Sequence, residues 1–164
     1  MHTEQDLKSK FWKALSSDMV MMLSLADVDN GHARPMTAQI EDHKSSIWFF
    51  TSTENALVKN IDRGSMGVGT FVSKGHDLYA TIHGKLALDN DKDTIDRLWN
   101  NFVAAWYDGG KNDPKLALLR FDPTNGEVWL NNSNIFTGLK LLLGSDPKQN
   151  SKENVAKMDF RAFR

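Results

Sequence analysis

The stretch Leu78 to Leu88, LYATIHGKLAL, decides the fold. Leu78, Ala80, Ile82, Gly84, Leu86 and Leu88 share one face, and Tyr79, Thr81, His83 and Lys85 share the other. A period of two marks a strand with one side on a core. The preceding segment, Met66 to Ser73, reads as its partner across a Lys74-Gly75-His76 turn. Gly67 and Gly69 fall on one face of that partner, where another group can approach closely. Further upstream, Asp18 to Ala26 (DMVMMLSLA) is apolar on both alternate sets, the pattern of a strand covered on both sides. Asp27 to Gly31 makes a turn, with Asn30-Gly31 as its strongest signal. His32 to Glu41 returns as a second strand. Pro35 inside it removes one ladder hydrogen bond and leaves space beside the backbone. Ser46 to Thr51 (SIWFFT) is a short aromatic strand. Lys115 to Asp122 and Glu127 to Asn131 predict a final hairpin around a Pro123–Gly126 turn.

Three helices accompany these strands. Residues 3–16 place Leu7, Phe11, Ala14 and Leu15 at helical spacing behind a Thr3 cap. A short helix is expected at Glu54–Asp62, capped by Ser52 or Thr53. Asp91–Tyr107 predicts one long helix with Ile95, Leu98, Trp99, Phe102, Val103 and Trp106 on its buried stripe, ended by Gly109-Gly110. Strands joined by tight turns argue for an antiparallel sheet, and curling into a barrel removes exposed edges. The expected class is mainly β with flanking α: a domain over residues 1–144, followed by a polar tail over 145–164 that is mobile or folds on a partner subunit. A second copy of the chain is expected to cover the remaining apolar faces.

Composition narrows the function. The 164 residues are 40% hydrophobic and 25% charged, which supports a packed core. A formal net charge of −1 disfavours nucleic acid as a partner. There is no cysteine, which excludes disulfides, thiol catalysis, iron–sulfur clusters and cysteine zinc sites. No run approaches the ~20 apolar residues of a membrane span, and no secretory h-region opens the chain, so a cytoplasmic location is the expectation. His2, His32, His43, His76 and His83 show no metal-ligand spacing, and no metal is expected. Phosphate-loop, dinucleotide and nucleophile-elbow motifs are also missing.

What remains is a cluster around the second strand and the short helix. Arg34, Pro35, Met36 and Thr37 lie on the irregular strand, and Phe50, Thr51, Ser52 and Asn55 lie where the third strand meets the helix. Free amides at a helix start, two hydroxyls and a guanidinium together suit a phosphate. The same residues also read as an ordinary helix cap beside a solvated arginine. Five tryptophans offer candidates to border a planar ring, and periodicity does not choose among them.

At A-R-P-M (33–36), W-F-F-T (48–51), Y-A-T-I-H-G (79–84), L-W (98–99), W-Y-D-G-G-K-N-D-P (106–114) and L-A-L-L-R-F-D-P with G-E-V-W (116–129), the sequence resembles a known family. It is similar to the general stress protein 26 branch of the pyridoxamine 5′-phosphate oxidase-like proteins, the FMN-binding split barrels. The pieces occur in family order over about residues 5–131. The resemblance implies a six-stranded antiparallel split barrel and a homodimer with FMN, or alternatively FAD, at the subunit interface. It implies that Arg34 holds the phosphate, that the Pro35–Thr37 backbone lines the isoalloxazine edge, and that Phe50 and Thr51 lie against the ribityl phosphate; Ser52 and Asn55, from the reading of the helix start above, complete the expected cofactor-binding set. Trp129 would reach the flavin of the other subunit.

Where the family often carries a Ser-x-Lys or Arg-Lys pair, this chain has Asn55, Ala56 and Leu57. Lys59, two residues on, is the candidate replacement. Losing one charge-assisted contact lowers flavin affinity by roughly 1.5–3 kcal/mol. The stretch NNSNIFTGLKLLLG (131–144) lacks the basic motif of true pyridoxamine phosphate oxidases, so that activity is not expected. The functions implied are a flavin-dependent oxidoreductase acting on a small molecule, a non-catalytic flavin-binding stress or sensor protein, or a ligand-free interaction dimer.

Overall fold

A computed structural model describes residues 2–42, 45–62, 65–131 and 155–161. His43, residues 132–144 of the stretch compared above, and residues 145–154 and 162–164 of the tail lie outside the described residues. The elements in chain order are α1 (Glu4–Asp18), β1 (Val20–Leu25), β2 (Arg34–Ile40), β3 (Ile47–Ser52), α2 (Ala56–Asn60), β4 (Met66–Val72), β5 (Leu78–Leu88), α3 (Lys92–Leu98), α4 (Asn101–Ala104), β6 (Leu116–Leu130) and β7 (Val155–Asp159). Strand order is β3-β2-β1-β4-β5-β6-β7, and β3 also pairs with β6. That extra pairing, Ile47 opposite Phe121 through Ser52 opposite Leu116, closes β1 to β6 into an antiparallel six-stranded barrel. No helix among the described residues is long and apolar enough to cross a membrane.

The barrel closes because each strand has one fully apolar side. Leu78, Ala80, Ile82 and Leu86 of β5 are buried, and so are Met21, Leu23 and Leu25 of β1. Thr3 caps α1 in a capping box: its hydroxyl takes the Asp6 amide while Asp6 takes the Thr3 amide. Leu7, Phe11, Trp12 and Leu15 then sink into the same core as Leu23, Phe71 and Phe121. A second cluster forms outside the barrel, where Ile95, Leu98, Val103 and Tyr107 cover Trp48, Leu116 and Leu118. The other face of β1 departs from expectation. Val20 and Met22 are 51% and 40% exposed, so the double-sided apolar strand is covered on one side only within a single chain.

Three further departures have physical causes. The long helix divides, because the Asn100 side-chain oxygen accepts the amides of both Phe102 and Val103 at 3.0 Å and starts a new helix. The apolar stripe therefore does not continue: Phe102 and Trp106, read as core, are 77% and 80% exposed. The final hairpin is instead one continuous strand. β5 runs beside β6 along its length, and the expected Pro123–Gly126 turn is absorbed as a bulge opposite His83 and Gly84. Lastly, residues 155–159 of the tail form β7 on the same chain's β6, and Met158 and Phe160 join the main core.

The bulge depends on glycine. A Cβ on Gly84 would stand 2.3 Å from the Asp122 carbonyl oxygen and 2.9 Å from the Cα of Pro123, and neither backbone can give way freely. Gly84→Ala is expected to cost about 1–3 kcal/mol through forced backbone shifts. The urea midpoint checks this, and a midpoint equal to that of the parent chain would contradict it.

Candidate functional site

One cavity of about 370 Å³ opens between β2, the end of β3, the start of α2 and the α4 turn. That is the lower end of the range for small-molecule sites. Pro35, Met36, Thr37, Phe50, Thr51, Ser52 and Asn55, all proposed from sequence, line it together. Arg34, Lys59 and Trp129 are not in the lining. Pleating sorts the first group. Pro35 and Thr37 are exposed on one side of β2, while Met36 and Ala38 are buried on the other.

The polar end of the cavity is arranged by hydrogen bonds. Asn55 donates from Nδ2 to the Thr51 hydroxyl oxygen at 3.0 Å, which leaves the Thr51 proton to point elsewhere. The Ser52 hydroxyl oxygen accepts the Glu54 amide at 3.1 Å. Asn55, not Ser52 or Thr53, caps α2, since its Oδ1 accepts the Leu57 amide at 2.9 Å. With five residues and that amide taken, α2 offers less to an anion than the sequence implied.

Across the cavity, the Tyr107 hydroxyl donates to the Thr51 carbonyl at 2.6 Å. Burial, assisted by the nearby Asp113 carboxylate, pushes the Tyr107 phenol up to about 12, so it stays a neutral donor. Asp113 itself accepts the amides of Gly109 and Lys115 at 2.9 Å each. Those backbone bonds hold its carboxyl below the ordinary 3.8. A depressed native value means the tie is present above the unfolded value and lost as pH falls through the native one. Amide exchange at Gly109 and Lys115 is therefore expected to speed up, relative to its intrinsic rate, as pH falls below 3.8. Protection that does not change through that range would remove Asp113 from this role.

Arg34 is engaged elsewhere. Its guanidinium meets Asp29 at 2.8 Å and donates to the His32 carbonyl at 3.2 Å. The Arg34 bond holds the Asp29 carboxyl below its ordinary range. Lys59 sits in the last turn of α2. Trp129 lies on β6 opposite Tyr79, beside a separate cavity of about 360 Å³ that includes His83, Glu127 and Lys157.

Sequence reasoning missed Gln39, Phe102, Val103, Trp106 and Tyr107, which complete the lining. Trp106 and Tyr107 belong to the W-Y-D-G-G-K-N-D-P segment, so a signal was present, but the helical spacing assigned Phe102 and Trp106 to a core. At neutral pH no lining residue carries a charge. The cavity can hold a flat neutral group with a polar edge at Thr51 and Ser52, and no acid–base pair stands in it.

A closed six-stranded barrel with helices packed outside and a cleft along β2 and β3 defines a split β-barrel protein. Residues 6–150 match the family described as pyridoxamine 5′-phosphate oxidase like, and the chain belongs to that family. It is 27% identical over 123 residues to general stress protein 26 of Bacillus subtilis (strain 168), covering 73% of this chain and 86% of that one. The solved structure of a general stress family protein from Xanthomonas campestris pv. campestris is 55% identical, with a TM-score of 0.77 over 82% of this chain and 94% of that one. The general stress FMN/FAD binding protein of Xanthomonas citri is also 55% identical, with a TM-score of 0.76 over 80% and 93%.

Proposed function

We propose that this chain binds FMN in the Pro35–Asn55 cavity, with FAD as the alternative, and acts as a flavin-dependent oxidoreductase built from two copies of the chain. The observation that carries the reading is the convergence of Pro35, Met36, Thr37, Phe50, Thr51, Ser52 and Asn55 on one uncharged cavity. Identity of 55% to a protein named for FMN/FAD binding supports it. The residues fit a flavin unevenly. Neutral walls suit the ring, and the Thr51 and Ser52 hydroxyls suit the ribityl chain or phosphate oxygens. The phosphate charge needs Arg34, which must leave Asp29, or Lys59. A bound flavin supplies the electron-transfer chemistry. The chain's own part is to orient the ring edge against β2, exclude water with Phe50 and Val103, and donate hydrogen bonds from Thr51 and Ser52.

Two copies are supported by the outer sheet face. Val20, Met22, Val72 and Tyr79 are exposed there, and Tyr79 stands opposite both Val72 and Trp129 in the strand register. Apolar patches of this kind mark interaction surfaces, and pairing across this one would carry Trp129 to the partner's flavin. A non-catalytic flavin-binding role is favoured by one observation: the lining holds no carboxylate, histidine, lysine or cysteine to serve as acid or base.

Titration with FMN, FAD and riboflavin, read by flavin fluorescence, tests the reading. FMN is expected to bind tightest. Arg34→Ala should weaken FMN by roughly tenfold to a hundredfold, the value of a charged hydrogen bond, and leave riboflavin nearly unchanged. Equal losses would take Arg34 out of the phosphate role, and no quenching of any flavin would reject the function. Consumption of NADH or NADPH by the loaded protein with an added electron acceptor separates the enzyme from the binding protein.

A further inference from the structure

Asn55 serves two neighbours, and the first orients it toward the second. The Leu57 backbone amide can only donate, so the Asn55 atom that meets it at 2.9 Å is the oxygen Oδ1. The side chain therefore turns its Nδ2 to the Thr51 hydroxyl, 3.0 Å away. An amide nitrogen also only donates, so the Thr51 oxygen accepts and its single proton points away from Asn55. Ser52 is held in the same sense, because its oxygen accepts the Glu54 amide at 3.1 Å.

Those two protons have no acceptor among the described residues. The carbonyls of Thr51 and Ser52 already accept the Tyr107 hydroxyl and the Asn55 amide. Tyr107 spends its own proton in that bond and fixes the Thr51 backbone at the same time. Both hydroxyls stand half-buried in the cavity wall, so their protons are offered to whatever the cavity holds. An oxygen that can only accept takes such a proton directly, whereas a hydroxyl on the ligand must first turn its own proton aside. Donors set in place beforehand also cost less ordering when the ligand arrives.

We propose that Asn55 is a positioning residue: it commits Thr51 to donate, so that the polar end of the cavity recognises an oxygen that only accepts. The proposal rests on the flavin reading above and deepens it. A flavin carries two sources of such oxygens, the carbonyls of its ring and, in FMN, the phosphate. Aspartate at position 55 would reverse the arrangement. One carboxylate oxygen would still cap α2 through the Leu57 amide, since Asp and Asn cap equally well. The other would accept the Thr51 proton and withdraw it from the cavity.

The experiment uses the full chain and titrates FMN and riboflavin by fluorescence against the parent, Asn55→Asp, Thr51→Val, Thr51→Ser and the double variant Asn55→Asp with Thr51→Val. Asn55→Asp is expected to weaken FMN at least about tenfold. In the Thr51→Val background, where no proton is left to withdraw, its effect is expected to be at least about threefold smaller. Thr51→Ser keeps the hydroxyl and is expected to bind within about twofold of the parent. Riboflavin locates the acceptor: a loss for FMN alone assigns it to the phosphate, and an equal loss for both flavins assigns it to the ring. Equal effects of Asn55→Asp with and without the Thr51 hydroxyl overturn the proposal, and so does Thr51→Ser binding as weakly as Thr51→Val. Urea midpoints check that the variants fold. Asn55→Ser, which keeps the cap and drops the Nδ2 donor, stands in for Asn55→Asp if that chain is unstable, with an expected FMN loss of about twofold to tenfold, the value of one neutral hydrogen bond. In the flavin-free chain, the side-chain amide resonances of Asn55 are expected to shift in Thr51→Val and to hold in Thr51→Ser. Resonances unmoved by Thr51→Val overturn the positioning contact whatever the flavins do. A parent chain that takes neither flavin overturns the flavin reading and this recognition with it.

Discussion

Replacing Phe160 by Ala is expected to cost about 3–5 kcal/mol, the range for a fully buried aromatic. A chain that stops at residue 154 should lose more. Phe160 is 4% exposed, with its ring centroid 5.9 Å from that of Phe11 and 6.0 Å from that of Trp12. Lys8 seals the joint: its ammonium donates to the Asp159 carbonyl at 2.6 Å and sits 5.2 Å from the centre of the Phe160 ring. The shortened chain would also free the β6 edge from Asn125 to Trp129 and uncover Met158's place in the core. Domains of this size are stable by only about 5–15 kcal/mol, so the truncation takes a large share of the total. Urea denaturation measures both variants. A loss below about 1 kcal/mol for Phe160→Ala, the level of an ordinary substitution, would show that this joint is not part of the stable core.

The second large effect concerns assembly. On the two-copy reading proposed above, Val20→Glu with Val72→Glu is expected to raise the dimer dissociation constant by at least about a hundredfold, because each copy would bury unpaired carboxylates worth roughly 3–5 kcal/mol. Both positions are about half exposed in the single chain, at 51% and 48%, so the isolated fold should tolerate them. Sedimentation would read a monomer with an unchanged near-ultraviolet spectrum. If the site is shared as proposed, FMN affinity should fall in parallel, since Trp129 would no longer be brought to the other copy's cavity. A double variant that remains dimeric would move the interface to another face. A parent chain that sediments as a monomer would end the shared-site reading.

Much of this fold was legible because it is written locally. The alternation of Leu78 to Leu86, the Thr3 cap and the Asn30-Gly31 turn each act within a few residues, and each falls where it was read; only Leu88, at the strand's end, leaves the core face and is exposed. The errors came from longer competitions. Asn100 interrupts a helix whose apolar spacing runs on past it, and pattern alone cannot weigh a cap against a stripe. Pro123 to Gly126 carries turn residues, yet pairing with β5 over eleven register positions holds the segment extended. β7 could not be read at all, because its partner strand lies about 30 residues away and Val155 to Asp159 has weak alternation. The site divides the same way. Pro35 to Asn55 is nearly contiguous in sequence, so its members suggested one another. Tyr107 and Trp106 arrive from more than 50 residues further on, and only the tertiary fold shows that they face Thr51.

The junction between α1 and residues 158–160 also governs when the core can be completed during synthesis. Phe11 and Trp12 are synthesised well before the ring that packs against both of them. Until then the nascent barrel keeps an open seam along β6 from Asn125 to Trp129. The arrival of β7 and Phe160, and not the appearance of the sixth strand, is the moment at which this core closes.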